Sequence, residues 1–129
     1  MVFASTLFGE GNMAESLSTG MADGLNTVGS VKALYTNFII RGFASPRPAN
    51  ADATEGAAAI LFEVTESGGA FVSGAPGNGL NFGTSTAGVL AKAAAESWEA
   101  TGLTAAGAGT LAVWFRAYAN TVVTGASTT

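Results

Sequence analysis

The segment KALYTNFIIRGF, residues 32–43, marks the point at which the chain changes from a helical to a strand pattern. Alternate positions fall on opposite faces of a strand, which puts Leu34, Thr36, Phe38 and Ile40 on one side and Tyr35, Asn37, Ile39 and Arg41 on the other. Both faces carry large apolar side chains. We therefore expect a strand that is covered on both sides.

Further segments repeat the alternation between turn residues. AAAILFEVTES, residues 57–67, ends at Gly68–Gly69, which predicts a hairpin that returns through Ala70–Val72. Residues 80–82 alternate again, and LAVWFRAYA, residues 111–119, has the strongest strand pattern. The pattern predicts an all-β fold, either an antiparallel sandwich or a jelly-roll-like domain, over residues 31–129.

The segment VLAKAAAESWEA, residues 89–100, fits either a helix or a strand. Its alanine content and the i,i+4 pair Lys92 and Glu96 suit a helix, whereas its own alternation suits a strand. The regular spacing of the neighbouring strands favours the strand.

Residues 1–30 have a different pattern, which indicates an N-terminal arm and a short amphipathic helix. Met13, Leu17, Met21 and Leu25 recur every four residues, which predicts a helix over residues 13–27 with Asn12 as its N-cap. Gly20 and Gly24 weaken this helix by about 1 kcal/mol each, so we expect it to form when docked.

Phe3, Leu7 and Phe8 precede that helix. Two interpretations remain open: an arm that orders on a neighbouring subunit, or a helix that covers its own domain. On the first interpretation we predict intersubunit contacts by Phe3, Leu7, Phe8, Met13, Leu17 and Met21. The predicted core consists of Phe38, Ile40, Ile60, Phe62, Phe82, Val113 and Phe115, and the loop of residues 45–56 forms an exposed tip.

Composition favours a subunit of an assembly. Only 11% of the 129 residues are charged, against roughly a quarter in typical domains, and 48% are apolar. So few charges leave a weakly polar surface that favours self-association. The net charge of −4 and the five scattered basic residues argue against a nucleic-acid partner. Neither a secretory signal nor a membrane-spanning run is present, so we expect no membrane partner.

The chain contains neither cysteine nor histidine, which excludes histidine-based catalytic triads, thiolate nucleophiles and zinc sites of the usual kinds. The stretch NGLNFGTSTAGVLAK, residues 78–92, misses the dinucleotide, P-loop and nucleophile-elbow patterns, so we interpret its glycines as turn residues. Residues 50–54 imitate the start of a calcium loop, but Glu55 occupies the obligatory glycine position. We predict no catalytic residue, no cofactor and no metal.

Two sets of side chains remain as candidates for chemistry or binding. The carboxylate pairs Glu63 with Glu66 and Glu96 with Glu99 are sequence neighbours, and we interpret them as solvated surface charges. Trp98, Trp114 and Tyr118 suit either a sugar-stacking platform or packing in the core or at a subunit interface, with packing the better interpretation.

The order of several motifs resembles a group of virion proteins of tailed bacteriophages. The resemblance is densest in NGLNFG, AGVLAKA and WFRAY with the terminal TGASTT, and it runs from about residue 21 to the C-terminus. It implies a small all-β structural subunit without a catalytic motif. Members of that group tend to continue after TGASTT into one or two more strands, so either this protein is short or the sequence covers only part of it. If strands are missing, we expect an open sheet edge that a neighbour fills.

The sequence therefore predicts a self-assembling, homo-oligomeric structural protein of a tailed-phage virion, assembled in the host cytoplasm. Its partners would be copies of itself and other virion proteins, and its place would be capsid decoration, the head-to-tail region or the tail. The alternative is a receptor- or carbohydrate-binding module of a tail fibre. A hydrolase built on carboxylates is a third class, and we predict that the chain is not an enzyme.

Overall fold

The computed structural model describes residues 17–75, 77–103 and 109–120, and the structural statements below concern these ranges. They contain two helices and five strands: α1 Thr19–Val28, α2 Val31–Leu34, β1 Thr36–Phe43, β2 Ile60–Glu66, β3 Leu80–Asn81, β4 Trp98–Gly102 and β5 Trp114–Tyr118.

Strand β1 organises the sheet, because it pairs along both of its edges. One edge pairs with β2 and the opposite edge pairs with β5, and the start of β1 pairs with β3. Strand β4 lies beyond β2, and every pairing is antiparallel. The small antiparallel sheet confirms the all-β class, and the strands of the described ranges form one sheet.

The predicted hairpin after β2 is wrong. The turn at Gly68–Gly69 is present, with the Gly69 N–H donating to Glu66 O at 3.1 Å, but residues 70–72 form no strand. The outer edge of β2 pairs instead with β4, and the adjoining Ser67 N–H donates to Ser97 O at 2.7 Å. Asn78 accounts for the diversion, since its side-chain amide donates to Ala70 O and its carbonyl accepts from the Glu66 N–H.

The predicted helix begins later than its hydrophobic spacing suggested. Ser18 is the N-cap and accepts from the Met21 N–H at 3.1 Å, so α1 starts at Thr19, while Asn12 and residues 13–16 lie outside the described ranges. Gly29, at φ +83°, ends the helix in the left-handed conformation that glycine tolerates. Thr19 donates from N–H and Oγ1 to Asp52, which docks the helix on the loop of residues 45–56.

The first strand also begins later than predicted. Ser30 caps the short helix α2 by accepting from the Ala33 N–H, so residues 31–34 are helical and β1 starts at Thr36. The ambiguous segment 89–100 is not helical. It contains two bridge residues, Val89 and Lys92, and then enters β4 at Trp98.

Both faces of β1 are covered around Phe38 and Ile39, as predicted for this strand, while the two residues that follow are only half-buried. Phe38 and Ile39 are adjacent and therefore point to opposite faces, yet they are only 2% and 0% exposed. On the face of Ile39, the ring of Phe43 stacks on Trp114 at 3.9 Å and Tyr118 completes the cluster. We call this side the loop-covered face, because the loop of residues 45–56 lies against it through contacts with Trp114, Arg116 and Tyr118.

The predicted core is correct only in part. Phe38 is buried, whereas Ile40, Ile60, Phe62 and Phe82 are half-buried. Val113 and Phe115 are 50% and 57% exposed, so their assignment to the core is wrong. The reason is that β5 turns its other side inward, toward the loop of residues 45–56. The buried residues outside the predicted core are Ile39, Phe43, Glu55, Leu61, Thr65, Leu80 and Tyr118.

Candidate functional site

The side of the sheet opposite the loop-covered face carries an apolar surface that we call the open face. Across its centre, Gly42 of β1 pairs with Phe62 on one side and with Phe115 on the other. The next row pairs Ile40 with Val64 and with Ala117, and β4 adds Ala100 and Gly102. None of these side chains is charged.

A shallow hollow lies at the uncovered end of this open face, beside Phe115. It measures about 120 Å³ and is lined by Phe62, Ala112, Val113, Trp114 and Phe115. Next to it the Phe62 ring leans over Gly42, where a Cβ atom would come within 2.2 Å of Phe62 Cε1. Such a lining offers few polar groups to orient a small molecule, whereas an apolar side chain fits it well.

An aromatic cluster covers the other end of the same face. The rings of Phe38 and Phe82 stack at 5.0 Å, and Trp98 meets both edge-on at 5.4 and 5.6 Å. Tyr35 packs edge-on against Phe38 at 5.3 Å, and burial raises the pKa of its phenol. The open face is therefore divided into a covered aromatic end and an uncovered end around Phe115.

Glu96 holds the covered end in place. Its carboxylate accepts from the Asn81 N–H, the Asn81 Nδ2 and the Trp98 Nε1, each at 2.8 Å. Burial alone would raise the pKa of this carboxyl, but these three hydrogen bonds and the charge of Lys92 outweigh it and lower the pKa. The interpretation of Glu96 as a solvated surface charge is therefore wrong.

A polar network lies on the loop-covered face. Arg41 Nε donates to Glu63 Oε1 at 2.8 Å, and its guanidinium lies over the Tyr118 ring at 5.6 Å. The Tyr118 hydroxyl donates to Glu55, whose side chain is buried, and Arg116 donates to Ala53 O at 3.0 Å. Glu63, too, is engaged rather than solvated.

The electrostatics of this network favour a structural role. Burial raises the pKa of Glu55, and the charges of Arg41 and Arg116 oppose that increase. Each ionic side chain of the network has a partner within the chain, and the network anchors the loop of residues 45–56. That loop lacks regular structure, as predicted, and most of its residues are exposed except for the buried Glu55.

The structure separates the predicted intersubunit residues. Phe3, Leu7, Phe8 and Met13 lie outside the described ranges. Leu17 is 60% exposed, whereas Met21 is half-buried and its Sδ lies 3.3 Å from the Tyr35 hydroxyl. Met21 thus makes a contact within its own chain.

Val113 and Phe115 are the surface residues that sequence reasoning missed. Their positions between Trp114, Arg116 and Tyr118 could have identified them, because one side of an alternating strand must be the outer one. Arg116 lies on the inward side of β5, and its charge made this side of the strand seem to be the polar, outward one. Its partner, the carbonyl of Ala53, belongs to a distant loop that the local pattern does not specify.

The aromatic side chains considered for sugar binding are all used in packing. Trp98 belongs to the aromatic cluster, Trp114 stacks on Phe43 and donates to Ala44 O at 3.0 Å, and Tyr118 is buried. Asn50, from the calcium-like segment, accepts from the backbone N–H groups of Asp52 and Ala53 and so forms a local turn. The glycine-rich stretch likewise contains a turn in which Thr86 and Val89 exchange backbone hydrogen bonds.

Comparisons with protein-family models, curated proteins and solved structures find no match for this chain. In the described part of the chain, no group of three or more His, Cys, Asp or Glu side chains is placed to hold a metal ion. No helix in those ranges is long and apolar enough to cross a bilayer. The open face, with the exposed Phe115 and the hollow beside it, is the candidate functional surface of the described ranges.

Proposed function

We propose that this protein is a homo-oligomeric structural subunit of a tailed-phage virion, and that its copies associate through the open face. The observation that carries the proposal is the 57% exposure of Phe115, on the outer strand β5, within the uncharged and apolar uncovered end of the open face. Full burial of a phenylalanine side chain contributes about 1.5–3 kcal/mol of favourable free energy. An exposed ring within an apolar surface therefore favours association between copies.

The distribution of polar contacts supports the same conclusion. Glu55, Glu63 and Arg116 are engaged on the loop-covered face, and Glu96 is engaged at the aromatic end. The uncovered end of the open face has apolar residues only. Subunit interfaces are depleted of charge at their centre and enriched in aromatic residues, which is the composition found around Phe115.

The association also suggests how a sandwich would arise. Two antiparallel sheets that bury apolar faces against each other form a β-sandwich, with the sheets about 10 Å apart. The predicted sandwich is then completed by two copies, each of which contributes one sheet. Placement in a virion, as capsid decoration or in the head-to-tail or tail region, rests on the resemblance of NGLNFG, AGVLAKA and WFRAY to phage virion proteins.

The test is the mass of the purified protein in solution, measured by light scattering over a range of concentrations. We expect an oligomer for the natural sequence and a shift toward the monomer for Phe115→Asp, because a buried carboxylate in the interface is strongly unfavourable. Val89→Asp is the matched control, since Val89 is 63% exposed in a turn outside the sheet and should keep the oligomer. A natural protein that stays monomeric at high micromolar concentration would contradict the proposal.

A further inference from the structure

Strand β4 forms one edge of the sheet, and its hydrogen-bonding pattern determines which backbone groups face outward. Leu103 N–H donates to Leu61 O, and Ser67 N–H donates to Ser97 O. Bonded and non-bonded pairs alternate in an antiparallel ladder, so Glu99 and Thr101 also use their backbone groups toward β2. The backbone N–H and C=O groups of Trp98, Ala100 and Gly102 consequently point away from β2.

Within the described ranges, this edge lacks most of the features that usually prevent strand addition. Natural edge strands are protected by proline, by charged side chains and especially lysine, by a bulge or by a covering segment, and of these β4 has only the charge of Glu99. The sequence of β4, WEATG, has neither proline nor lysine, and its register against β2 is continuous. All of its residues except Trp98 are exposed, and within the described ranges no hydrogen bond reaches the outward groups.

We infer that β4 pairs with β4 of a second copy, antiparallel and about a two-fold axis that passes beside Ala100. In this register Ala100 faces Ala100 of the partner subunit, and Trp98 faces Gly102 of the partner subunit. The outward residues of β4 are all even-numbered. Even positions therefore meet even positions, and every outward N–H finds an outward C=O.

The side chains agree with this register. Trp98 lies opposite Gly102 of the partner subunit, and nothing lies within 4 Å of a Cβ placed on Gly102, so this position leaves room for the large neighbour. On the loop-covered face, Glu99 lies opposite Thr101 of the partner subunit. No like charges oppose each other, although the strand contains a carboxylate.

The inference rests on the proposed self-assembly and adds a second contact to it. Edge pairing extends the sheet and leaves the open face uncovered, so the open faces of two copies join into one surface. The edge contact and the face contact therefore use different residues. They can be disrupted separately.

The experiment uses the absence of natural cysteine in this chain. In the Ala100→Cys variant, the two Cα atoms of the central pair would lie about 5.5 Å apart, within the roughly 4.4–6.8 Å that a disulfide spans. Under mild oxidation we expect this variant to form a covalent dimer on the order of tenfold or more faster than Val89→Cys, because paired edges hold the thiols together. Non-reducing gel electrophoresis follows the reaction, and Trp fluorescence checks that both variants are folded.

Each outcome has a definite meaning. Rapid cross-linking of Ala100→Cys, retained when Phe115→Asp is added, supports edge pairing as a contact separate from the open face. Equal rates for Ala100→Cys and Val89→Cys in a protein that light scattering shows to be oligomeric would overturn the edge pairing and leave the proposed function standing. A monomeric natural protein would instead overturn the proposed function itself.

Discussion

Glu96 shows how one ionised side chain fixes a large part of this fold. It accepts hydrogen bonds from the backbone and the side chain of Asn81 and from the indole of Trp98, and so joins β3 to the start of β4. Asn81 in turn donates from Nδ2 to Asn37 Oδ1 at 3.1 Å. A change at Glu96 should therefore be felt in three strands.

We expect Glu96→Gln to lower the free energy of unfolding by about 1–3 kcal/mol at neutral pH, because one oxygen is replaced by a donor that faces other donors. The lowered pKa of Glu96 means that its contribution is complete above the ordinary carboxyl pKa and is lost as the pH falls through the folded-state pKa. The difference between variant and natural protein should shrink in acid. Urea unfolding, followed by Trp fluorescence at fixed protein concentration, measures both quantities.

Glu99→Gln is the matched control for this change. Glu99 is exposed and its Oε1 accepts from the Ser97 hydroxyl at 2.9 Å, so its replacement should alter the free energy of unfolding far less. An equal loss of unfolding free energy in both variants would show that the hydrogen bonds of Glu96 do not hold β3 against the start of β4. A loss for Glu96→Gln that persists unchanged in acid would show the same.

At the same scale, the limits of sequence prediction are seen at Phe38, Phe115 and Glu55. The alternation around Phe38 correctly gave a strand covered on both faces. The alternation could not predict which side of β5 faces outward. Phe115 lies on the outer side because Arg116 and Tyr118 bond to the loop of residues 45–56. Burial of Glu55 depends on those same distant contacts.

Among the elements, strands were predictable where the alternation was strong, and pairing was not. β1, β2 and β5 lie within the predicted segments, but β2 pairs with β4 across 30 residues instead of with residues 70–72. A Gly68–Gly69 turn predicts that the chain reverses, yet the Asn78 contacts decide where it goes next. The open face, the candidate site, depends on this long-range pairing and was therefore not predicted.

The edge strand β4 provides a test of the register itself. The N–H of Ala100 points outward and that of Thr101 points toward β2, so proline should be tolerated at position 100 and not at position 101. We expect Thr101→Pro to lower the free energy of unfolding by about 1–3 kcal/mol, because it removes a ladder hydrogen bond to β2 and leaves its acceptor unpaired, and Ala100→Pro to lower it far less. Urea unfolding of the two variants compares them directly.

The same pair separates folding from association. Ala100→Pro removes an outward N–H, so it should keep the fold and weaken the edge-paired dimer in cross-linking or light scattering. If Ala100→Pro unfolds the protein while Thr101→Pro does not, the register of β4 is shifted by one residue. The outward groups would then be those of Glu99 and Thr101.

For the molecule as a whole, the small number of buried apolar side chains and the larger number of exposed ones have the same consequence for association. The described ranges bury only six apolar side chains, Phe38, Ile39, Phe43, Leu61, Leu80 and Tyr118, while seven large ones are at least half exposed. With 11% charged residues, the surface has few groups that oppose contact between copies. Burial between copies would add to the core that the described ranges form.

This distribution predicts how association should respond to salt. The strand positions at the uncovered end of the open face carry no charged residue, and the β4 register places Glu99 opposite a threonine, so neither contact depends on attraction between opposite charges. Raising the ionic strength from about 0.01 M to about 1 M shortens the Debye length from about 30 Å to about 3 Å and would dissociate an assembly held by surface charges. Here the same change screens the net charge of −4 on each copy.

We therefore expect the mean mass in light scattering to stay constant or to rise with sodium chloride, and to rise further with sulfate, which strengthens apolar burial. The Phe115→Asp variant should keep a lower mean mass than the natural protein at each salt concentration, since salt does not restore the apolar contact that the phenylalanine ring makes. A natural protein that dissociates steadily as sodium chloride increases would show that charge, and not the apolar face, holds the copies together.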